Sequence, residues 1–458
     1  MMTMPEPGSR RRRPPAPTDA SGRYPAPRLD AWALVIVCAA LLLRLPLLPQ
    51  AGYAPDLAYW KSWMSYASAY GIPHVYELEL PGQTYPPVLL YLLGGLGHVY
   101  TLLVPSGEDS RLLTAFVKIP ALLADLAVVA LLARFAAARA AMPGRGARDD
   151  AGLGVCGAAA LAAFHPALIW LSSYWGQIDA LLGGLVAGAW LALLARRAAL
   201  GGMLIALAVL TKPQGLIVLP PAIALAAATT GMRGLARSIA AGAATTVLVS
   251  APFVLAGSGG KLAGLYLGST DVYPCLSLNA WNPWWIVTLL SGGGRDAGLV
   301  GDARGPIPAR LLGVALFLAA TAWTCWRCAR LGRDTAADSG EKRIERGMLL
   351  LTLQWLFFFL LPTQIHERYL VPALVSFAFP VVLRRRWFGA YAALSLAVLL
   401  NLLFVVPGSP VVLRIARVAG GEGVVVAVFL VGLAAFLIIG EVRGGRERSR
   451  SAAAGVTR

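Results

Sequence analysis

The chain has 458 residues, of which 57% are hydrophobic and 14% charged, with 49 glycines and 31 prolines. Its mean hydropathy of +0.66 excludes the two or three soluble domains that length alone would suggest. The net charge of +17, from 40 Lys and Arg against 23 Asp and Glu, gathers in clusters at the ends of apolar runs, as in cytoplasmic loops, which excludes nucleic acid as a partner.

Residues 1–30 are rich in Pro and Arg without apolar periodicity and read as a disordered, basic cytoplasmic tail. An integral-membrane domain is expected over 31–440. Its first run, "AWALVIVCAALLLRLPLLP" (31–49), follows a basic flank but ends in no small-residue cleavage site, so it reads as a retained anchor. Further spans are predicted at 112–136, 153–171, 179–196, 200–212, 214–230, 236–256, 309–329, 347–361, 369–383, 388–406 and 424–440. The fold class is therefore an all-α polytopic membrane protein of about twelve helices, because backbone polar groups in lipid must pair within a helix.

The short segments 200–212 and 214–230 meet at "KPQ", where a bent helical pair is expected. With both termini in the cytoplasm, 50–111 forms a first external loop, and 257–308 and the turn 362–368 are also outside. Within these, 86–104 and the Trp-rich stretch 281–291 are expected to be interfacial helices. Residues 441–458 are expected to be a second disordered cytoplasmic tail. With both termini inside, any site built from the three external segments is expected on the external side of the membrane.

Cysteine carries little. Of the five, only Cys275 falls in an external loop, and the Cys325/Cys328 pair lies on an apolar span, where two small helix-facing residues are the simpler reading.

Polar residues at membrane depth cost free energy unless they are paired or line a cavity. Asp56, Lys61, Tyr85, Lys118, Gln177, Asp179, Lys212, Gln214, Asn279, Asn282, Gln364, His366, Glu367 and Arg368 come from distant parts of the chain yet fall at similar depth near the outer side. One polar cavity opening outward would account for them. Each also has a structural reading. Lys118 and Asp125, two helical turns apart, fit a polar stripe; Asp179 suits a helix N-terminus; Lys61 and Arg44 fit snorkelling side chains. Three ionisable residues in a row at 366–368 are harder to place as mere surface.

The segments "PDLAYWKSWM" (55–64), "TYPPVLLY" (84–91), "HPALIWLSSYWGQIDALLGGL" (165–185), "LTKPQGLIVLPP" (210–221), "SLNAWNPWW" (277–285) and "QIHERYLVP" (364–372) occur in order. Together they resemble the endoplasmic-reticulum glycosyltransferases that use dolichyl-phosphate glucose or mannose, and the "WGQ-D" and "HERY" variants favour a bacterial relative. The resemblance implies the C-type glycosyltransferase fold and a polyprenyl-phosphate sugar donor. It makes Asp56 the general base and puts His366, Arg368 and Lys212 near the donor phosphate. Tyr85, Lys118, Gln177, Asp179, Gln214 and Glu367 are further cavity candidates.

The residue chemistry points the same way. Glycosyl transfer with inversion needs a carboxylate to take the acceptor proton, and cations to hold the departing phosphate. No metal or cofactor is required by this scheme. By the family resemblance alone, a hexose, mannose first, is expected to pass to a glycolipid, glycan or protein hydroxyl. A secondary transporter or lipid flippase, or a noncatalytic scaffold, remains the alternative.

Overall fold

The computed structural model describes residues 31–78, 85–141, 152–268, 275–291, 309–333 and 340–456. Among these, secondary structure is helical, with only isolated backbone bridges joining 278–279 to 366. The N-terminal tail expected over 1–30 lies outside the described residues.

In chain order the helices are α1 (Ala31–Arg44), α2 (Ala54–Tyr70), α3 (Pro87–Leu103), α4 (Arg111–Ala140), α5 (Val155–Ala163), α6 (Pro166–Ile169) and α7 (Asp179–Leu194). They are followed by α8 (Ala198–Val209), α9 (Leu219–Leu255), α10 (Gly259–Leu267), α11 (Pro283–Leu290) and α12 (Ala309–Arg333). The chain ends with α13 (Gly340–Leu360), α14 (Val371–Leu383), α15 (Phe388–Val405), α16 (Pro410–Ala419) and α17 (Val424–Val456). Long Ala/Leu/Val runs keep the backbone helical, and polar caps start several helices. Ser110 accepts from the Leu113 amide at α4, and Asn282 from the Trp285 amide at α11.

Each expected span falls on a helix, but far fewer than twelve pass on their own. Five helical stretches are long and apolar enough to cross a membrane, or six if α5 and the stretch Pro166–Trp175, bent by 46°, count as one. The rest are shorter, and some are enclosed by protein. All thirteen residues of α14 are buried. Segments 214–230 and 236–256 form one helical run, bent at Gly231, whose φ of 69° breaks the helix. The run 86–104 forms α3, packed on α2, and 281–291 forms α11.

The second tail expected over 441–458 departs most from expectation. Helix α17 continues to Val456, and Glu441, placed in that tail, is buried. Its carboxylate accepts from Arg327 on α12 and from Arg346 on α13, the latter at 2.8 Å. Two arginines that must be buried with the helix ends demand such a partner, so the folded domain extends past 440. Nearby, Arg139 of α4 pairs with Glu341 at 2.8 Å, and Arg386 pairs with Glu345 at 2.6 Å.

Arg44 does not snorkel. It is fully buried, and its Nε and Nη2 donate to Oδ2 of Asp125 at 3.1 and 3.0 Å. Ser172 donates to the same oxygen at 2.7 Å. The stripe expected between Lys118 and Asp125 is thus replaced by a pair between α1 and α4.

Two apolar cores result. The larger unites the C-terminal half of α4 with α5 to α8, α13 to α15 and α17. The smaller joins α2, α3 and the N-terminal part of α4, with Phe253 and Leu262. Trp175 belongs to the larger core and Trp60 and Ile178 to the smaller. Asp56, Gln177 and several of the other polar residues singled out in the sequence gather at that seam.

Candidate functional site

The short helix α6 runs on into a wider helical turn, Trp170–Trp175, of the π type. Such turns hold one extra residue and often re-aim side chains at functional sites. Gly176 ends it in the left-handed region at φ 100°. A Cβ there would lie 2.8 Å from Cγ of Lys118 and 2.9 Å from Cζ3 of Trp60, so glycine is required for both conformation and space. The turn directs Trp175 and Gln177 toward the first turn of α2.

There they meet Asp56. The indole nitrogen of Trp175 donates to Oδ2 at 2.8 Å and the Gln177 amide donates to the same oxygen at 2.6 Å. Oδ1 accepts from no described residue, and Asp56 is partly exposed. Gln177 is itself fixed at its other end, where its carbonyl accepts from the Tyr85 hydroxyl at 2.8 Å and from Lys212 Nζ at 3.1 Å. Burial raises the Tyr85 phenol, so it remains a donor at physiological pH. Two donors on one side and a carboxylate on the other leave the amide a single satisfied orientation.

The family resemblance leads one to expect Lys212 beside a donor phosphate. In the structure its charge is matched by Asp179 at 2.8 Å, with both side chains buried, and it packs over the Tyr85 ring at 5.3 Å. Asp179 stands in the first turn of α7, where a carboxylate is favoured by the helix terminus. Lys212 therefore braces Gln177 and α7.

The turn 366–368 lies on the other side of Trp175. Arg368 stacks over the indole ring at 5.4 Å and donates to Glu367 at 2.8 Å. Nδ1 of His366 is 3.4 Å from Nη1 of Arg368 and 3.8 Å from Oε2 of Glu367. Burial opposes ionisation of Glu367, but His366 and Arg368 outweigh it and hold the carboxyl down to about 2. Burial and then the Arg368 charge depress His366, leaving a neutral imidazole at physiological pH. Arg368 also has an Nε that is buried without a hydrogen-bond partner among the described residues. An unmatched guanidinium N–H invites an anion.

The segment 276–282 holds that turn in place. The Leu278 amide donates to Ile365 O at 2.9 Å and the Gln364 amide to Leu276 O at 3.1 Å. Asn279 and Gln364 both take left-handed backbone conformations, at φ 61° and 63°. Asn401 of α15 clasps the bend by donating to Asn279 O at 2.7 Å and accepting from the Trp281 amide at 3.0 Å. Asn279 and Asn282 thus shape the backbone behind the site.

Three expected members stand apart. Lys118 is fully buried and donates to the carbonyls of Gln50 and Tyr174, each at 2.7 Å, so it clamps two backbones beneath the site. Gln214 makes no side-chain hydrogen bond to the cluster, and its Oε1 is buried without a partner among the described residues. Lys61 pairs with Asp109 at 2.6 Å. It lines a cavity of about 690 Å³ with Ala54, Leu57 and Ala58, on the opposite face of α2 from Asp56. The single polar cavity expected from sequence is therefore resolved into a site and a separate surface recess.

Trp175 is the residue that sequence reasoning quoted without giving a role. Its signal was a tryptophan directly before a Gly-Gln pair at the end of an apolar run. No disulfide forms among the described residues, and Cys275 is buried. No three His, Cys, Asp or Glu side chains gather into a metal-binding group among the described residues. No family model matches the chain, and no curated protein matches it either.

Proposed function

We propose that this protein is a membrane glycosyltransferase that moves a hexose, mannose first, from a polyprenyl-phosphate donor to an acceptor hydroxyl. One observation carries the reading. A partly exposed carboxylate, Asp56, and a largely enclosed guanidinium, Arg368, whose buried Nε has no partner among the described residues, are held by the same indole, one at its nitrogen and one over its ring.

Glycosyl transfer uses those two charges at once. The acceptor oxygen attacks the anomeric carbon from one side while its proton passes to Asp56. The bond from that carbon to the phosphate oxygen breaks on the other side, and the electron pair leaves with the polyprenyl phosphate. Arg368 offers N–H groups to the charge that develops there, and Glu367 orients it. Lys212 and Arg368 each pair with a carboxylate at 2.8 Å, but Arg368 keeps an Nε without a partner among the described residues and offers it to the phosphate; His366 serves as a neutral hydrogen-bonding group.

The long apolar helices and the outward-facing apolar residues, such as Leu248 at 77% and Leu255 at 87% exposure, support a bilayer setting. Twelve spans, the C-type glycosyltransferase fold, a plasma-membrane location and an external site complete the reading. A glycolipid, glycan or protein serves as acceptor.

Purified protein in lipid vesicles tests it, with polyprenyl-phosphate mannose, glucose and arabinose offered in parallel and a total lipid extract as acceptor. Transfer from one donor should fall by about 10²- to 10⁴-fold in Asp56→Asn, the usual contribution of a general base, while donor binding persists. Equal transfer by both proteins removes Asp56 from its role. No transfer from any donor by the wild type overturns the transferase reading.

A further inference from the structure

Helix α16 falls in a stretch, 407–423, that the sequence leaves as a plain connection between two spans. It starts at a Ser409 cap, whose hydroxyl accepts from the Val412 amide at 3.3 Å. Leu413 packs on the larger core and Ala416 is fully buried, so one side of the helix faces the protein.

The opposite side is unusual for a surface in water. Val411, Ile415 and Val418 recur at helical spacing and are 68%, 57% and 76% exposed. Arg414 and Arg417 lie along the flank between the two sides, and the helix contains no acidic residue. Arg417 approaches the Phe404 ring at 5.8 Å and reaches Glu422 only at 4.0 Å.

Its neighbours fix where it lies. The helical stretches before and after it, Arg385–Val405 and Gly421–Arg443, are both long and apolar enough to cross a membrane. A short helix joining two such spans sits where the bilayer surface crosses the bundle. It is also at the end that holds the candidate site, since Trp170 donates to Val406 O at 2.9 Å just before α16 and lies in the turn that carries Trp175.

We propose that α16 lies in the membrane surface, with Val411, Ile415 and Val418 among acyl chains and Arg414 and Arg417 holding the headgroups of anionic phospholipids. An apolar face flanked by arginines, on a helix with no carboxylate of its own and with Glu422 only at 4.0 Å from Arg417, complements an anionic headgroup layer over a hydrocarbon interior. The inference rests on the membrane part of the reading above and is independent of the chemistry at Asp56.

The test places photoreactive p-benzoylphenylalanine at Ile415 in the full chain, reconstituted in vesicles of equal parts phosphatidylcholine and phosphatidylglycerol. Mass spectrometry then reads the crosslinked adducts. The same reporter at Val428, an exposed residue of α17, is the control. Phosphatidylglycerol adducts at 415 should exceed phosphatidylcholine adducts about five-fold, as one basic residue near an anionic surface supplies. That preference should vanish in Arg414→Gln/Arg417→Gln, with the Val428 adducts unchanged as proof of folding and insertion.

Lipid adducts at 428 with none at 415, or 415 crosslinked to a second protein chain, overturn the proposal and leave the membrane reading standing. Adducts at 415 without headgroup preference, or a preference that survives the double substitution, remove the arginines from the role. Lipid adducts at neither position overturn the membrane reading itself.

Discussion

The indole nitrogen of Trp175 donates to Oδ2 of Asp56 at 2.8 Å, across a separation of 119 residues in sequence. Trp175→Phe keeps an aromatic ring near Arg368 but removes the donor, together with part of the buried indole volume. A hydrogen bond to a charged group is worth about 1.5–3 kcal/mol. Transfer, read as kcat/KM, is therefore expected to fall roughly ten- to a hundredfold with the chain folded. Trp175→Ala, which also removes the stacking surface, should cost more.

Glu367 gives a pH-dependent test. Its folded carboxyl titrates near 2, well below the ordinary glutamate value. The sign follows from linkage: the stabilisation is fully present above the ordinary value near 4.3 and is lost as pH falls from there toward 2. Glu367→Gln leaves Arg368 buried without its partner and should lower stability by about 3–5 kcal/mol at neutral pH. Unfolding midpoints in detergent should show a gap between the two proteins that is constant from pH 8 to about pH 5 and narrows below it.

Lys118 is expected to matter for geometry. Lys118→Met leaves the carbonyls of Gln50 and Tyr174 without their shared donor, at about 1–3 kcal/mol for each buried group left unmatched. Those carbonyls lie at the entry to α2 and just before Trp175. The variant should lose both thermal stability and turnover, while equilibrium binding of the donor, measured by calorimetry, changes little.

The Arg44–Asp125 pair predicts a non-additive cycle. Arg44→Leu or Asp125→Leu alone strands a buried charge, which costs about 3–5 kcal/mol. The double substitution removes both charges and should be less harmful than the sum, with a coupling on the order of 2 kcal/mol in denaturant midpoints. An additive result would mean that the pair is not formed.

Much of the helical frame is legible in the sequence because apolar runs of span length admit only helices in lipid. The runs at 112–136, 309–329 and 388–406 fall on α4, α12 and α15 for that reason. Residues 441–456 were less legible, since an Arg/Gly-rich composition says nothing of a helix that carries on from an apolar one. Arg44 was misread because a charge near a helix end fits snorkelling equally well until a carboxylate is known to face it.

For the site, the residue types came from the sequence and their partners from the fold. Local order brought Asp56, Gln177, Asp179, Lys212 and Arg368 into view, since charge inside apolar surroundings is costly enough to need a reason. Only the tertiary structure decided that Lys212 is matched by Asp179, that Lys118 serves the backbone, and that Trp175 links Asp56 to Arg368. Pairing energy depends on distances of a few ångströms between atoms far apart in the chain, and hydropathy along the chain holds no record of those distances.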